Sequence, residues 1–237
     1  MVMSGENAGP GAVAHTAHGG RRGRPEHTTQ ASHALHAPMS LRERKKQLTY
    51  QAVSETAIAL FLERGFDKVS VAEVAAAADI SKPTLFRYFP TKEDLVLHRF
   101  ADHEDESARV VAARADDESP LDAVRRHFLD GLERRDPVTG LCDAPQVLVY
   151  LRLLYGTPSL VARLFGYQRR SEAVLAHALG DRMPDRLAAG QINAVLRVLA
   201  EENWRRIDAG MSADRAYPEA VADAEAAFEQ LRSGIDR

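Results

Sequence analysis

Apolar residues recur every three or four positions along most of this 237-residue chain, the spacing that places them on one face of an α-helix. No segment shows the strict alternation of apolar and polar residues that is typical of a strand. We therefore predict an all-α fold. After residue 90, clusters of Gly and Pro divide the pattern into helices predicted at about 92–114, 121–135, 145–155, 159–179, 185–208 and 218–233.

The first periodic segment predicts a long helix from about Arg42 to Arg64. Val53, Ala57 and Phe61 mark its inner face. Gly65 follows this segment, and glycine is typical of a helix C-terminus because it adopts the left-handed conformation without steric cost.

Two short helices separated by a tight turn are predicted next. Ser70 with Glu73 three residues later forms a capping-box pattern, so one helix begins directly after Ser70. Ser81 is a suitable N-cap for the other helix, and Pro83 then falls in its first turn, where a missing N–H costs nothing. This arrangement, within about residues 70–89, is a helix-turn-helix.

The second of these short helices has two faces. Leu85 and Phe89 are four residues apart and are predicted to bury, whereas Thr84, Arg87 and Tyr88 form a separate stripe. Arg can donate two hydrogen bonds to guanine or hold a phosphate, Thr can contact a thymine methyl group, and Tyr can reach a backbone oxygen. The spacing by itself also fits an ordinary helical hairpin with a solvated basic face.

Further basic residues are predicted to meet phosphates beside the groove. Arg44 and Lys46 lie near the start of the first helix, and Lys92 is placed at the N-terminus of a helix that Thr91 caps. The full set of predicted DNA contacts is Lys82, Pro83, Thr84, Phe86, Arg87, Tyr88, Lys92, Arg44 and Lys46.

From Leu41 to about Phe100 the chain resembles the DNA-binding domain of the tetracycline-repressor (TetR) family. The residues that match the family's pattern are Ala57, Leu60, Phe61, Gly65, Phe66, Ser70, Val71, Ser81, Thr84, Leu85, Phe86, Tyr88, Phe89, Lys92, Glu93 and Leu95. The chain departs from the pattern at Asp79, where glycine is usual, and at Phe86, where tyrosine is common. We expect Asp79 to keep the left-handed turn conformation, whereas Phe86 cannot make the phosphate hydrogen bond of a tyrosine.

The resemblance implies that residues 101–237 form a helical ligand-binding and dimerisation domain. Residues expected to line the ligand pocket are Phe128, Val147, Tyr150, Leu151, Leu154 and Phe165, with His127 or Arg152 as polar contacts. An apolar stripe on the last two helices, expected at an interface between two subunits, contains Val195, Leu199, Trp204, Val221 and Phe228. The alternatives are a plain core role for the pocket positions and packing of the stripe within its own subunit.

Residues 1–40 are rich in Gly, Ala, His and Pro, show no periodicity and are expected to be disordered. Within them, the four residues 22–25, RGRP, resemble the core of an AT-hook, which enters a narrow minor groove. Two other interpretations are a solvated basic tail and a translation start at Met39, which would remove the tail from the protein.

The net charge of −3 is unevenly distributed along the chain. Residues 41–100 hold ten Lys and Arg against eight Asp and Glu, a net of +2, whereas residues 101–237 hold eighteen against twenty-four, a net of −6. Because affinity for DNA depends on local basic surface, the acidic part does not exclude a DNA partner.

Candidate chemical sites are few. The single cysteine, Cys142, cannot form an internal disulfide, which fits a reducing compartment; a redox-sensing role for it is an alternative interpretation. His98, Asp102 and His103 are the best metal candidates, but the acidic cluster around them is typical of a solvated face, so we expect no metal and no cofactor. No apolar run approaches the ~20 residues needed to span a bilayer, and no signal core is present, so a cytoplasmic location is expected.

The sequence therefore predicts a homodimer that binds a near-palindromic double-stranded DNA operator and responds to an unknown small-molecule effector, as a repressor by resemblance. One alternative is a DNA-binding protein that is regulated by a protein partner instead of a small molecule. Another is an enzyme with a helical DNA-binding head. The chain has no phosphate-binding glycine loop, nucleophile elbow, HExxH or CxxC motif, so we do not expect an enzyme.

Overall fold

Ten α-helices and no strand are present in residues 41–101 and 103–234, the part of the chain that the computed structural model describes. The predicted all-α class is confirmed. The predictions for residues 1–40 and for Asp102 lie outside the described residues. The helices are α1 (Leu41–Arg64), α2 (Val71–Ala77), α3 (Lys82–Tyr88), α4 (Asp94–Ala101), α5 (Glu106–Ala112), α6 (Pro120–Glu133), α7 (Pro145–Gly156), α8 (Pro158–Leu179), α9 (Met183–Asp208) and α10 (Ala213–Ser233).

Helices α1 to α3, here called the head, end where the local sequence signals place their ends. The Ser70 hydroxyl accepts from the amide of Glu73 at 3.2 Å, and the Glu73 carboxylate accepts from the amide of Ser70 at 2.8 Å, which completes the capping box. Ser81 accepts from the amide of Thr84 at 3.3 Å and caps α3. Asp79 has a φ of 52°, the left-handed conformation expected for the turn.

A first apolar core joins the head to α4, α7 and α8. Deeply buried side chains of this core include Val53, Phe61, Val74, Leu85, Phe89, Leu95, Leu154 and Leu160. Tyr150 in α7 also donates a hydrogen bond to the Val96 carbonyl at 2.9 Å, while Ser54 in α1 donates to the Leu95 carbonyl at 2.7 Å. Helix α4 is therefore fixed from both sides. The core around the head also includes residues beyond position 100, such as Tyr150 and Leu160.

A second apolar core lies among α5, α6, α8, α9 and α10. Its most deeply buried members are Val111, Leu132, Leu141, Leu175, Ala189, Ala216, Ala224 and Phe228. Small alanines face this core from α10, so that helix approaches its neighbours closely. We call the helices from α5 to α10 the body.

Two predicted helix boundaries are wrong. The single helix expected at about 92–114 is divided, because α4 ends at Ala101 and α5 begins at Glu106. The connecting turn lets Glu106 meet His127 of α6, a long-range contact that local propensity cannot indicate. The last helix begins at Ala213 rather than at residue 218: Ser212 accepts from the amide of Arg215 at 3.4 Å as its N-cap, and Pro218 lies inside the helix.

Among the described helices, none by itself is long and apolar enough to cross a membrane. Helices α7 and α8 meet the criteria of length and composition only as a pair, and that pair is bent by 96°.

Candidate nucleic-acid interface and body cavity

The two faces predicted for α3 are confirmed. Leu85 and Phe89 are 0% and 1% exposed and pack into the first core. Arg87 is exposed on the opposite side, with Thr84 and Tyr88 half-buried beside it. The buried pair fixes how α3 is rotated against α1 and α2, so it also fixes which residues face solvent.

The solvent side of α3 is basic and aromatic. Lys82 lies 5.9 Å from the ring centroid of Phe86, and the guanidinium of Arg87 lies 5.2 Å from that of Tyr88. Phe86 is 41% exposed, an unusual position for a large apolar ring on a free surface. We call the set formed by Lys82, Pro83, Thr84, Phe86, Arg87, Tyr88, Arg44 and Lys46, of which Thr84 and Tyr88 are half-buried, the basic face.

Tyr50 connects the start of α1 to this face. Its ring meets the ring of Tyr88 edge-on, with centroids 4.8 Å apart, and the Lys46 ammonium lies 5.7 Å from the Tyr50 ring centroid. Because Lys46 lies over the Tyr50 ring and Arg87 over the Tyr88 ring, the structure brings these two cations of α1 and α3 to neighbouring places, and Arg44 is exposed on α1. Their amino-acid types suit phosphate contacts at the edge of a groove.

Lys92 does not lie where the sequence predicted it. Its ammonium donates to the carbonyl of Phe66 and lies 4.2 Å from the centroid of that ring and 5.4 Å from the centroid of Phe61. The carbonyl and the two ring faces attract a cation more effectively than open solvent at the start of α4. In this structure Lys92 therefore stabilises the head rather than extending the basic face.

A cavity of about 190 Å³ lies inside the body. Aromatic residues from five helices, α4 and α6 to α9, form much of its wall: Phe100, Phe128, Tyr155, Tyr167 and Trp204. Its polar lining includes His103, Glu106, His127, Gln168, Ser171, Asn193 and Arg197. We call this space the body cavity.

Only part of the predicted pocket lines the body cavity. Phe128 and Leu151 line it, and His127 supplies a polar group, as expected. Tyr150 and Leu154 instead bury in the first core, and Val147 packs against that core. Phe165 is 55% exposed on the outside of α8, because the rotation of that helix directs Leu164 inward.

Arg152 also lies away from the body cavity. Its guanidinium donates to Asp208 at 2.7 Å on the protein surface. Sequence reasoning did not select Trp204 or Arg197 for the pocket, because both lie on a helix whose apolar stripe was interpreted as an interface. Aromatic residues at helical spacing were the only signal, and that signal does not distinguish a core from a cavity.

One wall of the body cavity is the loop between α6 and α7. Gly140 in this loop has a φ of 74°, and a Cβ there would lie 2.0 Å from the carbonyl oxygen of Ala200 in α9. Asn203 donates to the carbonyl of Thr139 at 2.9 Å from the same helix. Only glycine permits this approach, so the loop is held firmly against α9.

A carboxylate joins two histidines at the cavity wall. Glu106 lies 2.7 Å from Nδ1 of His103 and 2.9 Å from Nε2 of His127. These hydrogen bonds, first that of His103 and then that of His127, hold the pKa of the Glu106 carboxyl far below its ordinary value. The group is consequently a fixed negative charge between two imidazoles.

A second buried carboxylate, Asp94, lies at the N-terminus of α4. Arg163 in α8 donates to both of its oxygens at 2.9 Å, and Tyr167 in α8 donates to Oδ1 at 3.0 Å. The amide and hydroxyl of Thr91 donate to Oδ2 at 3.1 and 2.9 Å. Burial acts to raise the pKa of Asp94, but the bonds from Arg163, Thr91 and Tyr167 together hold it below its ordinary value.

Three of the residues predicted at a subunit interface are buried within their own chain. Leu199 and Phe228 belong to the second core and Trp204 to the first, with exposures of 7%, 1% and 7%. Trp204 stacks on Tyr155, with ring centroids 5.9 Å apart, and lines the body cavity. The apolar residues of α9 thus cover more than one face of the helix, and most of them pack within their own chain.

Apolar residues nevertheless remain on the outer side of α9. Met183, Leu187 and Val198 are 69%, 56% and 51% exposed. A groove of about 560 Å³ runs between α9 and α10 and is lined by Gln191, Ala194, Val195, Val198, Leu199, Ala227, Gln230, Leu231 and Gly234. Val195 is half-buried at this groove, and Val221 is half-buried against the second core.

Other candidate chemistry has little support in the described residues. No group of three His, Cys, Asp or Glu side chains in them is arranged to hold a metal ion. Cys142 is 8% exposed, which limits its access to oxidants.

Residues 54–98 match the protein family described as "Bacterial regulatory proteins, tetR family". The matched segment contains α2 and α3 entirely, together with α1 from Ser54 to Arg64 and the start of α4. It therefore includes the complete helix-turn-helix.

Two relatives match over most of their length. The transcriptional regulator TcmR of Streptomyces glaucescens is 29% identical over 204 residues, which cover 77% of this chain and 89% of TcmR. MftR of Mycobacterium tuberculosis, named as a transcriptional regulator of mycofactocin biosynthesis, is 28% identical over 206 residues, which cover 82% of this chain and 94% of MftR. Both similarities extend from the head through the body.

The fold is similar to that of a TetR-family regulator from Streptomyces coelicolor. The TM-score is 0.50 at 20% sequence identity, and the alignment covers 78% of this chain and 96% of the other. This comparison concerns the arrangement of helices alone.

Proposed function

This chain belongs to the TetR family of DNA-binding transcriptional regulators, and we propose that it is a homodimeric repressor that releases its operator when a small molecule occupies the body cavity. Such a protein acts in the cytoplasm, on the chromosome. The observation that carries the proposal is the division of α3 into a buried and a basic face. It gives Thr84, Arg87 and their neighbours a fixed orientation towards DNA.

The basic face supports readout of a major groove. Arg87 is exposed and unpaired with any carboxylate within hydrogen-bonding distance among the described residues, so its two-pronged donor is available to a guanine or a phosphate. Phe86 and the Thr84 methyl group can contact apolar base edges. Arg44 and Lys46 can hold the flanking phosphates, a contact that fixes register without reading sequence.

The body cavity supports binding of a small ring-containing effector. Its wall combines aromatic faces with a few polar groups, the usual composition of a small-molecule site. Trp204 is the single tryptophan of the chain and lies in this wall, so effector binding can be followed by its fluorescence.

The outer side of α9 supports dimerisation. Met183, Leu187 and Val198 expose apolar area on α9, and Val198 also lines the groove between α9 and α10. Packing of this pair of helices against the same pair of a second subunit would bury the exposed residues around a twofold axis. A dimer would also present two heads to two half-sites whose spacing is about one helical turn or a multiple of it.

The proposal is tested by selecting bound duplexes from a random DNA pool and sequencing them. We expect a near-palindromic motif, and fluorescence anisotropy at two salt concentrations should then show binding that survives competition by unrelated DNA. Binding that is weak, strongly salt-dependent and equal for all duplexes would contradict the assignment of a specific operator. A library of ring-containing compounds is then screened for Trp204 quenching and for release of the selected duplex.

A further inference from the structure

We propose that Tyr167 is the positioning residue that transmits occupancy of the body cavity to the head, through its hydrogen bond to Asp94. The inference rests on the proposed function, since it concerns how an occupied cavity weakens DNA binding. It assigns that role to one hydroxyl group.

Tyr167 belongs to two environments at once. Its side chain lines the body cavity, and its hydroxyl donates to Oδ1 of Asp94 at 3.0 Å. Burial, followed by the nearby charge of Asp94, raises the pKa of Tyr167 to about 12, so the hydroxyl remains a donor at neutral pH. Among the residues named in the cavity wall, Tyr167 is the one that donates a hydrogen bond to Asp94, whereas Phe100 belongs to α4 itself.

Asp94 in turn holds the junction between α3 and α4. Its Oδ2 accepts from both the amide and the hydroxyl of Thr91, which lies two residues after Phe89, the C-cap of the recognition helix. Asp94 is 4% exposed, so water does not readily replace a lost donor. A shift of the Asp94 carboxylate therefore changes the end of α3 directly.

The ring of Tyr167 also contacts Arg170 on the same helix. Arg170 lies 4.2 Å from its ring centroid and donates to Glu104 at 2.9 Å, in the turn between α4 and α5. An effector that displaces the ring would thus strain contacts at both ends of α4. Arg163 would keep Asp94 near α8, so the consequence is a changed position of α4 rather than its release.

The inference can be tested before any effector is known, by filling the cavity with a side chain. Ser171 lies one turn after Tyr167 on α8 and lines the same cavity. Ser171→Phe places a ring where an effector would lie, and Ser171→Ala removes the hydroxyl without filling the space. Each is made in the natural protein and in Tyr167→Phe, which keeps the ring but lacks the donor.

The affinity of each variant for the selected operator is measured by anisotropy. With Tyr167 present, Ser171→Phe should weaken operator binding at least about 5-fold relative to Ser171→Ala. In the Tyr167→Phe background, the operator affinities of Ser171→Phe and Ser171→Ala should differ by less than about 2-fold, because the displaced ring no longer acts on Asp94. The matched control is Tyr155→Phe, which also alters a tyrosine in the cavity wall but has no contact with Asp94.

A second readout separates transmission from general damage. Hydrogen exchange of residues 89–96 should increase in Ser171→Phe and in the double variant Ser171→Phe with Tyr155→Phe. It should not increase in the double variant Ser171→Phe with Tyr167→Phe. Exchange in α10 should stay unchanged in all three. Should Ser171→Phe fail to fold, Ser171→Leu fills less space and takes its place. A shift of Trp204 emission verifies that the cavity is filled.

Equal weakening of operator binding in the Tyr167 and Tyr167→Phe backgrounds would overturn the inference. So would an unchanged operator affinity in a folded variant whose Trp204 emission shows a filled cavity. Both results leave the DNA-binding part of the proposed function intact. Absence of specific operator binding by the natural protein is a different result, and it contradicts the proposed function itself.

Discussion

The ring of Tyr88 in α3 meets the ring of Tyr50 in α1 edge-on, with centroids 4.8 Å apart. This contact fixes the last turn of the recognition helix against the first helix of the head. It also leaves Tyr88 half-buried, so only part of that side chain can reach DNA.

The first prediction separates the ring of Tyr88 from its hydroxyl. Tyr88→Phe keeps the packing on Tyr50 and should weaken operator binding by about 1 kcal/mol through loss of one hydrogen bond to DNA. Tyr88→Ala should in addition lower the free energy of unfolding, since aromatic pairs contribute about 0.5 to 1.5 kcal/mol beyond their buried area. Anisotropy and urea denaturation measure the two effects. Equal operator affinity of Tyr88→Phe and the natural protein would remove the hydroxyl from the interface.

The second prediction concerns base reading by Arg87. Arg87→Ala should weaken binding of the selected operator by about 1 to 3 kcal/mol and relax preference at one base pair. The matched control is Arg169→Ala, an exposed arginine on α8. Anisotropy with operator variants measures both. A uniform loss over all sequences, with a reduced salt dependence, would mean that Arg87 holds a phosphate instead.

The third prediction concerns the buried face of the same helix. Leu85→Ala should lower the free energy of unfolding by about 2 to 5 kcal/mol, because it leaves a cavity at a position that is 0% exposed. Leu62→Ala on α1, at a position that is 41% exposed, should have a much smaller effect. Urea denaturation followed by circular dichroism compares them, and similar midpoints for both variants would contradict the facing of α3.

The fourth prediction concerns the outer side of α9. Val198→Asp should produce monomers and weaken operator binding, because a charge at the twofold interface of the proposed dimer is costly to bury. Val174→Asp, at an exposed apolar position on α8, should leave the dimer intact. Light scattering coupled to gel filtration gives the mass of each. A dimer that persists in Val198→Asp would place the interface elsewhere.

The fifth prediction concerns pH and Glu106. The folded-state pKa of this carboxyl lies far below its ordinary value of 4.5, so the charged group stabilises the fold above that pH. The contribution is lost as the pH falls below 4.5 towards the depressed folded-state value. Glu106→Gln should therefore lower the free energy of unfolding by roughly 1 to 2 kcal/mol at pH 7. In acid, the free energies of unfolding of the variant and the natural protein should lie closer together. Urea titrations at pH 7 and pH 4 measure it, and a difference that widens in acid would contradict the sign.

The head could be predicted from the sequence almost completely, since its signals are local. The capping box of Ser70 and Glu73, the N-cap at Ser81 and the left-handed turn at Asp79 each depend on residues within four positions. The spacing of Leu85 and Phe89 was then enough to identify the buried face of α3. These local signals and the all-α pattern are what the sequence determined by itself.

The tertiary structure decided where long side chains and apolar stripes are used. Lys92 turns inward because Phe66, 26 positions away in the chain, offers a carbonyl and a ring face. Trp204 lines a cavity rather than an interface because Tyr155 is brought against it by the packing of α7 on α9. Helical periodicity records that a residue is apolar and on one face, but not which element covers that face, because the covering element comes from distant sequence.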